Sequence, residues 1–433
     1  MASIAPNVSA EFANRTVRKI QLRLLPFIFL LYIVAVLDRV NVGFAALTMN
    51  KELAITAEQF GMLAGIFFIG YFFFEIPSNI LMHRIGARIW IARILITWGL
   101  VAGATGFAQS AMHLYIIRFM LGLAEAGFFP GMILYLTYWF RQREQAQAVA
   151  FFMMAQPISA IFGGPVSGFI LDHVHWIGVS SWRWLLVLEA VPALILGIVV
   201  LFYLPNGPSD AKFLAEEEKR WLAAELEREQ KSKDTREHGS ALKALGSGRV
   251  WYLALIYFAF MNGLYAMNFW LPQVVKALAK QTNTQTGFLV AIPHLCGLVA
   301  MFFLSRNSDR TQERRFHAAI PAFLGGVALL LLSKSPNPAV SIAFLAMMAI
   351  GIDSSFGPFW ALPNQFLTGA AAASGIALIN SVGNLGGFVG PYIIGFLAKR
   401  TGSTMPGLAV IGGFMILAAV LIIMIPRRNT RPS

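Results

Sequence analysis

Apolar residues run along this chain in blocks of about 20, long enough to cross a bilayer as helices, parted by short polar breaks. Lipid offers the backbone no hydrogen bonds, so a spanning segment must be a helix or part of a closed barrel. The blocks are continuous rather than alternating, which excludes a barrel. The breaks predict twelve spans. In the first half these are 24–47, 59–82, 89–108, 112–138, 148–171 and 184–204; in the second, 250–275, 285–304, 316–333, 339–362, 373–398 and 405–426. The expected fold class is an all-α polytopic membrane protein.

Basic residues orient the spans. With the N-terminus inside, 24 Lys and Arg fall on inner segments and 7 on outer loops, with Arg39, Arg93 and Arg118 inside spans. That bias places both termini in the cytoplasm and the chain in the inner (plasma) membrane. The expected organisation is a cytoplasmic tail over 1–23, a six-helix half over 24–204, a cytoplasmic linker over 205–249, a second six-helix half over 250–426 and a tail over 427–433. The linker opens with Pro205 and Pro208 and continues FLAEEEKRWLAAELEREQ. Phe213, Leu214, Trp221, Leu222 and Leu226 fall near one helical face, with Ser209 as N-cap. This predicts a short amphipathic helix on the inner membrane surface that joins the halves passively.

The two halves repeat each other. Glu125-x4-Pro130 in span 4 matches Asp353-x4-Pro358 in span 10, an offset of 228. Gly164-Pro165 in span 5 matches Gly390-Pro391 in span 11, and Arg84 matches Arg310, both at an offset of 226. Near-equal offsets at equivalent places describe two pseudo-repeats. A substrate site at the interface of such repeats is the usual plan of transporters.

Composition agrees. Hydrophobic residues make up 57% and charged residues 13%, about half the usual charged share of a soluble protein. The net charge of +13 reads as the inner-loop bias rather than as a nucleic-acid surface. Cys296 stands alone in an apolar run, so no intramolecular disulfide is expected. The first apolar run follows a basic segment with no small-residue cleavage pattern, so it is expected to be a retained first span. The sequons at Asn7 and Asn14 fall on the predicted inner tail and read as chance. No nucleophile–base constellation, HExxH or GxxxxGK[ST] occurs. The reading is therefore not an enzyme, with no cofactor or metal. The loops are also short for the signalling domain of a membrane receptor.

Several motifs carry a resemblance. HRIGAR (83–88) and SRNSDRTQERR (305–315) resemble the loop signature of the major facilitator superfamily, although His83 stands where an acid is frequent. LDRVNVGFA (37–45), FEIPSN (74–79), RFMLGLAEAGFFPG (118–131) and FWALPNQFL (359–367) resemble its anion:cation symporter branch, which includes tartrate, phthalate, hydroxyphenylacetate and sugar-acid permeases. The resemblance implies the major facilitator fold, with twelve helices in two six-helix pseudo-repeats. It also implies a secondary transporter, functional as a monomer, importing an organic carboxylate with protons. A uniporter or exchanger on the same fold is the alternative.

The charges inside the spans give this a mechanism. Asp38 sits about 21 Å into span 1 from inside and Arg118 about 9 Å into span 4 from outside, the same depth in a core about 30 Å thick. With spans 1 and 4 adjacent, as the superfamily fold implies, they are expected to pair. Arg118, Gly122 and Glu125 share one face of span 4, with Gly122 leaving room between the charges. Arg118 could then alternate between Asp38 and Glu125. A carboxylate holds its proton weakly beside arginine and strongly when buried alone, so Asp38, Arg118 and Glu125 are the expected proton-coupling group. Arg39 points about 100° away from Asp38 and is free to bind an anion through its planar fork, as the branch's arrangement implies.

By position, Tyr71, Gln156, Trp360 and Asn380 match substrate contacts of sugar-acid members, and Asn384 lies one turn beyond Asn380. Two hydroxyls of those members are replaced by Val36 and Gly357. With Phe67, Phe72, Phe128 and Phe356, this favours an aromatic or short organic acid over a polyhydroxylated one. Glu75 is expected to join an inner gate with Arg84 and Arg88, and Asp309 and Arg310 form its counterpart in the second half. Glu189 follows Arg183 in the upper part of span 6 and is given no role, Asp353 lacks an arginine seven residues before it and is assigned no proton, and His294 reads as a packing histidine.

Overall fold

The computed structural model describes residues 10–234, 246–335, 337–363 and 369–426. Twelve helical spans cross the bundle: Ala10–Glu52, Ala57–Ile85, Ala87–Phe107, Ala111–Thr137, Gln142–His173, Ser181–Tyr203, Gly248–Ala279, Asn283–Thr311, Arg315–Leu332, Pro338–Ala361, the pair Gly369–Asn384 and Gly386–Thr401, and Met405–Met424. No strand occurs among the described residues. Each predicted span is present, and the differences lie at the ends. The first helix starts at Ala10, so 10–23 is helical and continuous with span 1. Ala13, Val17 and Ile20 are buried, and the helix simply continues past the predicted membrane edge.

Proline and glycine set the interruptions. Span 4 breaks at Ala126 and Gly127, where Gly127 has φ 87°. Pro130 has no N–H for the Ala126 carbonyl four residues back, so the helix restarts there. Pro157 does the same to Met153, and span 5 divides at Met154. Span 1 turns at Asn41 between Ala10–Val40 and Val42–Glu52.

The halves meet most closely at the end away from the termini, where small residues let backbones touch. A methyl group on Gly61 would come within 2.6 Å of the Pro391 carbonyl oxygen, and one on Gly164 within 2.8 Å of that of Gly287. Polar links reinforce the seam. Asp172, at the end of span 5, accepts from the Asn283 amide and side chain at 3.2 and 2.8 Å. It also accepts from the Thr284 amide and hydroxyl, both at 2.7 Å. A carboxylate from one half thus sits on the unpaired amides that open a helix of the other. Glu58 and Lys399 pair at 2.6 Å nearby.

Asp172→Ala is expected to loosen this closure by about 1–2 kcal/mol, shifting the equilibrium between the open and closed forms of this end about tenfold. Spin labels at Ile177→Cys and Gln281→Cys in a Cys296→Ser background would report longer distances. An unchanged distance distribution refutes the latch.

The linker departs from expectation. Ser209 lies in a short 3-10 turn, Pro208–Asp210, and the helix runs Glu216–Asp234. Glu218 caps its start by accepting from the Ala215 amide at 2.9 Å. Its apolar face packs on protein, with Trp221 and Leu222 buried. Phe213 stacks on Trp139, and Trp221 meets Phe12 edge-on and lies under the Arg141 guanidinium. Lys19 pairs with the buried Glu218 at 2.7 Å. The helix therefore clasps the first half. Residues 1–9 with Asn7, 235–245 of the linker, Asn364–Leu367 of the span 10 motif and the tail 427–433 lie outside the described residues.

Candidate functional site

A cavity with about 520 Å³ of empty space, partly open to solvent, lies between the halves. Arg39, Tyr71, Gln156, Asn380 and Asn384 all line it, from spans 1, 2, 5 and 11. Trp360 does not, but packs edge-on against Tyr257, which does. The remaining wall is largely aromatic, with Tyr32, Phe67, Phe68, Phe129, Tyr265 and Phe356. Of the aromatic residues singled out in the sequence, Phe67 and Phe356 reach the cavity. Phe72 is partly exposed at the helix surface, and Phe128 is buried against Trp98.

Arg39 is the centre of the site. Its Nε donates to Glu125 Oε1 at 3.0 Å, and its Nη2 contacts the same oxygen. Nη1 reaches the Tyr265 hydroxyl at 3.4 Å. Tyr265 comes from span 7 of the other half and stands 226 residues after Arg39, the offset of the repeat. The Arg39 guanidinium also faces the Phe67 and Tyr71 rings at 5.5 and 5.7 Å. Glu125 is fully buried, and its Oε2 has no hydrogen-bond partner among the described residues.

This corrects the expected pairing. Asp38 does not meet Arg118; its Oδ2 accepts from the Trp98 indole at 2.8 Å and Oδ1 is left without a partner. Arg118 donates from Nη2 to the Arg39 carbonyl at 3.1 Å, under the Phe67 and Phe269 rings, and its Nε is unpartnered. Neither carboxylate lies within ion-pair distance of Arg118 among the described residues. The depth argument was sound, but the rotation of span 1 puts Arg39 rather than Asp38 toward Glu125. Gly122 does not leave room for charge either: a side chain there would strike the Phe67 carbonyl and the Tyr71 amide, so it lets spans 2 and 4 cross closely.

The gate also differs. Glu75 is buried and far from Arg84, which is exposed. It accepts instead from Asn380 Nδ2 at 3.0 Å and Ser381 Oγ at 3.1 Å, across the halves. Arg88 turns to the end of span 6 and the start of the linker, donating to Leu204 and Asn206 and pairing with Asp210 at 3.7 Å. Asp309 pairs with Arg314, and Arg310 is exposed. Sequence reasoning missed Trp98, Tyr265, Asp172 and Ser381. The repeat offset pointed to Tyr265; nothing in the sequence marked the others.

Comparison with known proteins decides the family. The family model described as Major Facilitator Superfamily matches residues 28–391. The chain belongs to this superfamily. It is a secondary transporter of that type and not an enzyme. A "Putative tartrate transporter" of Agrobacterium vitis is 46% identical over 420 residues, covering 97% of this chain and 96% of its own. A "Quinolone resistance transporter" of Acinetobacter baumannii is 39% identical over 411 residues, covering 95% of each. The crystal structure of a D-xylose-proton symporter has the same fold at a TM-score of 0.75, with 15% identity over 93% of this chain and 97% of that one.

Proposed function

We propose that this protein imports an organic carboxylate together with protons by alternating access, in the inner membrane with both termini cytoplasmic, and that it works as a monomer. One observation carries the reading: Arg39 faces the central cavity and is at the same time the ion-pair partner of Glu125. A carboxylate entering the cavity competes with Glu125 for one guanidinium. When the substrate takes it, Glu125 is left buried without a countercharge and holds a proton strongly. When the substrate leaves, Arg39 returns and the proton is released. Anion and proton therefore bind together.

With this orientation, closure at the end away from the termini makes the conformation inward-facing. Glu75 with Asn380 and Ser381 lies on the inner side of the cavity and serves as a gate that must part for release. The aromatic wall with Gln156, Asn380 and Asn384 fits a tartrate-, phthalate- or hydroxyphenylacetate-like acid, and the name of the Agrobacterium relative supports the first of these.

Uptake of radiolabelled L-tartrate, phthalate and 4-hydroxyphenylacetate into proteoliposomes tests the proposal. An inward proton gradient of one pH unit is worth about 1.4 kcal/mol per proton, so a coupled acid should accumulate about tenfold per proton. Uptake that ignores the gradient would leave an exchanger or uniporter.

A further inference from the structure

A second cavity, with about 370 Å³ of empty space, lies on the outer side of Arg39 between spans 1, 5, 7 and 8. Asn41, Ser167 and His294 are among its polar borders. On the first-half side, Ser167 donates to Glu189 Oε1 of span 6 at 2.7 Å, and Asn41 faces the same carboxylate. Glu189 is 6% exposed, and its Oε2 has no hydrogen-bond partner among the described residues.

A buried carboxylate without a cation destabilises a fold by several kcal/mol when ionised, and a leucine or glutamine would pack there at lower cost. Among the described residues, its surroundings hold no such cation. On span 1 the ionisable neighbours are Asp38 and Arg39, the latter taken by Glu125. On span 3 the outer half has no charged residue, and Arg93, nearer the inner end, stacks on Trp90. On span 5, Asp172 is engaged by Asn283 and Thr284, and His173 is exposed, bonded to the Phe169 carbonyl. On span 6, Arg183 pairs with Glu52. His294 stands across the cavity.

Asp38 has the same unfinished character: one donor from Trp98 and one open oxygen. Asn41 is one helical turn from Asp38, on a span that packs against span 6. Glu189 lies behind Ser167 of the outer cavity and Glu125 behind Arg39 of the central one, and these two carboxylates and Asp38 each keep an oxygen without a hydrogen-bond partner among the described residues.

We propose that Glu189 transfers protons between water in the outer cavity and Asp38, and so loads the proton site from outside. The Glu189 carboxylate takes H⁺ from cavity water, passes it to the Asp38 carboxylate and returns to its charged form; only O–H bonds form and break. This rests on the proton-symport reading.

Two measurements test it. Infrared titration of the protein in lipid, without substrate, follows the C=O stretch of protonated carboxyls. Glu189→Gln is expected to remove one titrating component and to displace the titration of those that remain; a component lost without ever having titrated means a permanently protonated packing residue and overturns the proposal. In proteoliposomes carrying an internal pH dye, the acid that the wild type accumulates is the probe. Glu189→Gln should retain counterflow at equal pH within about twofold and reduce gradient-driven accumulation and lumen acidification about tenfold, with Glu189→Asp recovering part. Wild-type acidification on uptake with an unaltered Glu189→Gln overturns the relay and leaves symport standing; no wild-type acidification overturns both. Dependence on a sodium gradient also overturns it. Should Glu189→Gln fail to fold, Ser167→Ala decides: loss of its hydrogen bond displaces the pH midpoint of uptake by about half a unit, and an unmoved profile overturns the proposal.

Discussion

Glu125→Gln is expected to abolish concentrative uptake and to tighten the binding of the anion. Glutamine has nearly the shape of glutamate, so spans 1 and 4 keep their packing and the amide oxygen can still accept from Arg39. What is lost is the charge. Arg39 no longer has a competitor for its guanidinium, and an incoming carboxylate need not displace one. Affinity should rise about tenfold, the effect of about 1.4 kcal/mol, and should lose its pH dependence over the range in which Glu125 would titrate. Exchange of labelled for unlabelled acid across the membrane should continue, because it requires no net proton movement. Isothermal titration at two pH values, with counterflow and gradient-driven uptake on the same preparation, separates these effects. Weaker binding in Glu125→Gln would mean that Glu125 supports the anion rather than competing with it, and the coupling scheme would fail.

The twelve spans were legible because length and hydropathy alone decide whether a helix crosses lipid, and both are local properties of the chain. The start of the first helix was not, since Ala10–Arg23 is a polar helix and hydropathy marks only the part of a helix that lipid can surround. The site was legible by residue more than by partner. Arg39, Tyr71, Gln156, Asn380 and Asn384 reach the cavity, but the pairings could not be computed from depth. Depth along a helix follows from counting residues, whereas facing depends on how the helix is rotated. Span 1 is turned so that Trp98 of span 3 donates to Asp38 and Arg39 meets Glu125. A tryptophan in an apolar run looks like packing until its indole nitrogen is seen to have an acceptor. Contacts across the halves, such as Glu75 with Asn380 and Asp172 with Asn283, belong to one conformation of a moving protein. No local pattern encodes them. Tyr265 is the exception, for the repeat offset that relates the halves also relates it to Arg39.

Arg39→Ala is expected to lose anion binding altogether, and its effect on stability tells whether the ion pair or the ligand is the reason for the arginine. Removing one partner of a buried pair typically destabilises by about 3–5 kcal/mol, because the other charge stays buried. The single variant should therefore be both inactive and less stable, and inactivity alone would prove little. The double variant Arg39→Ala, Glu125→Gln removes both charges and should recover most of the thermal stability. It should still fail to bind any acid that stabilises the wild type in a thermal-shift panel. Arg39→Lys keeps the charge but has no planar fork. Its ammonium cannot serve Glu125 and Tyr265 in the two directions that Nε and Nη1 now do, so affinity should fall about 10- to 100-fold, or about 1.4–2.7 kcal/mol. If the double variant is stable and binds the anion as the wild type does, Arg39 is a structural partner of Glu125, and the anion is held by the polar and aromatic groups of the wall.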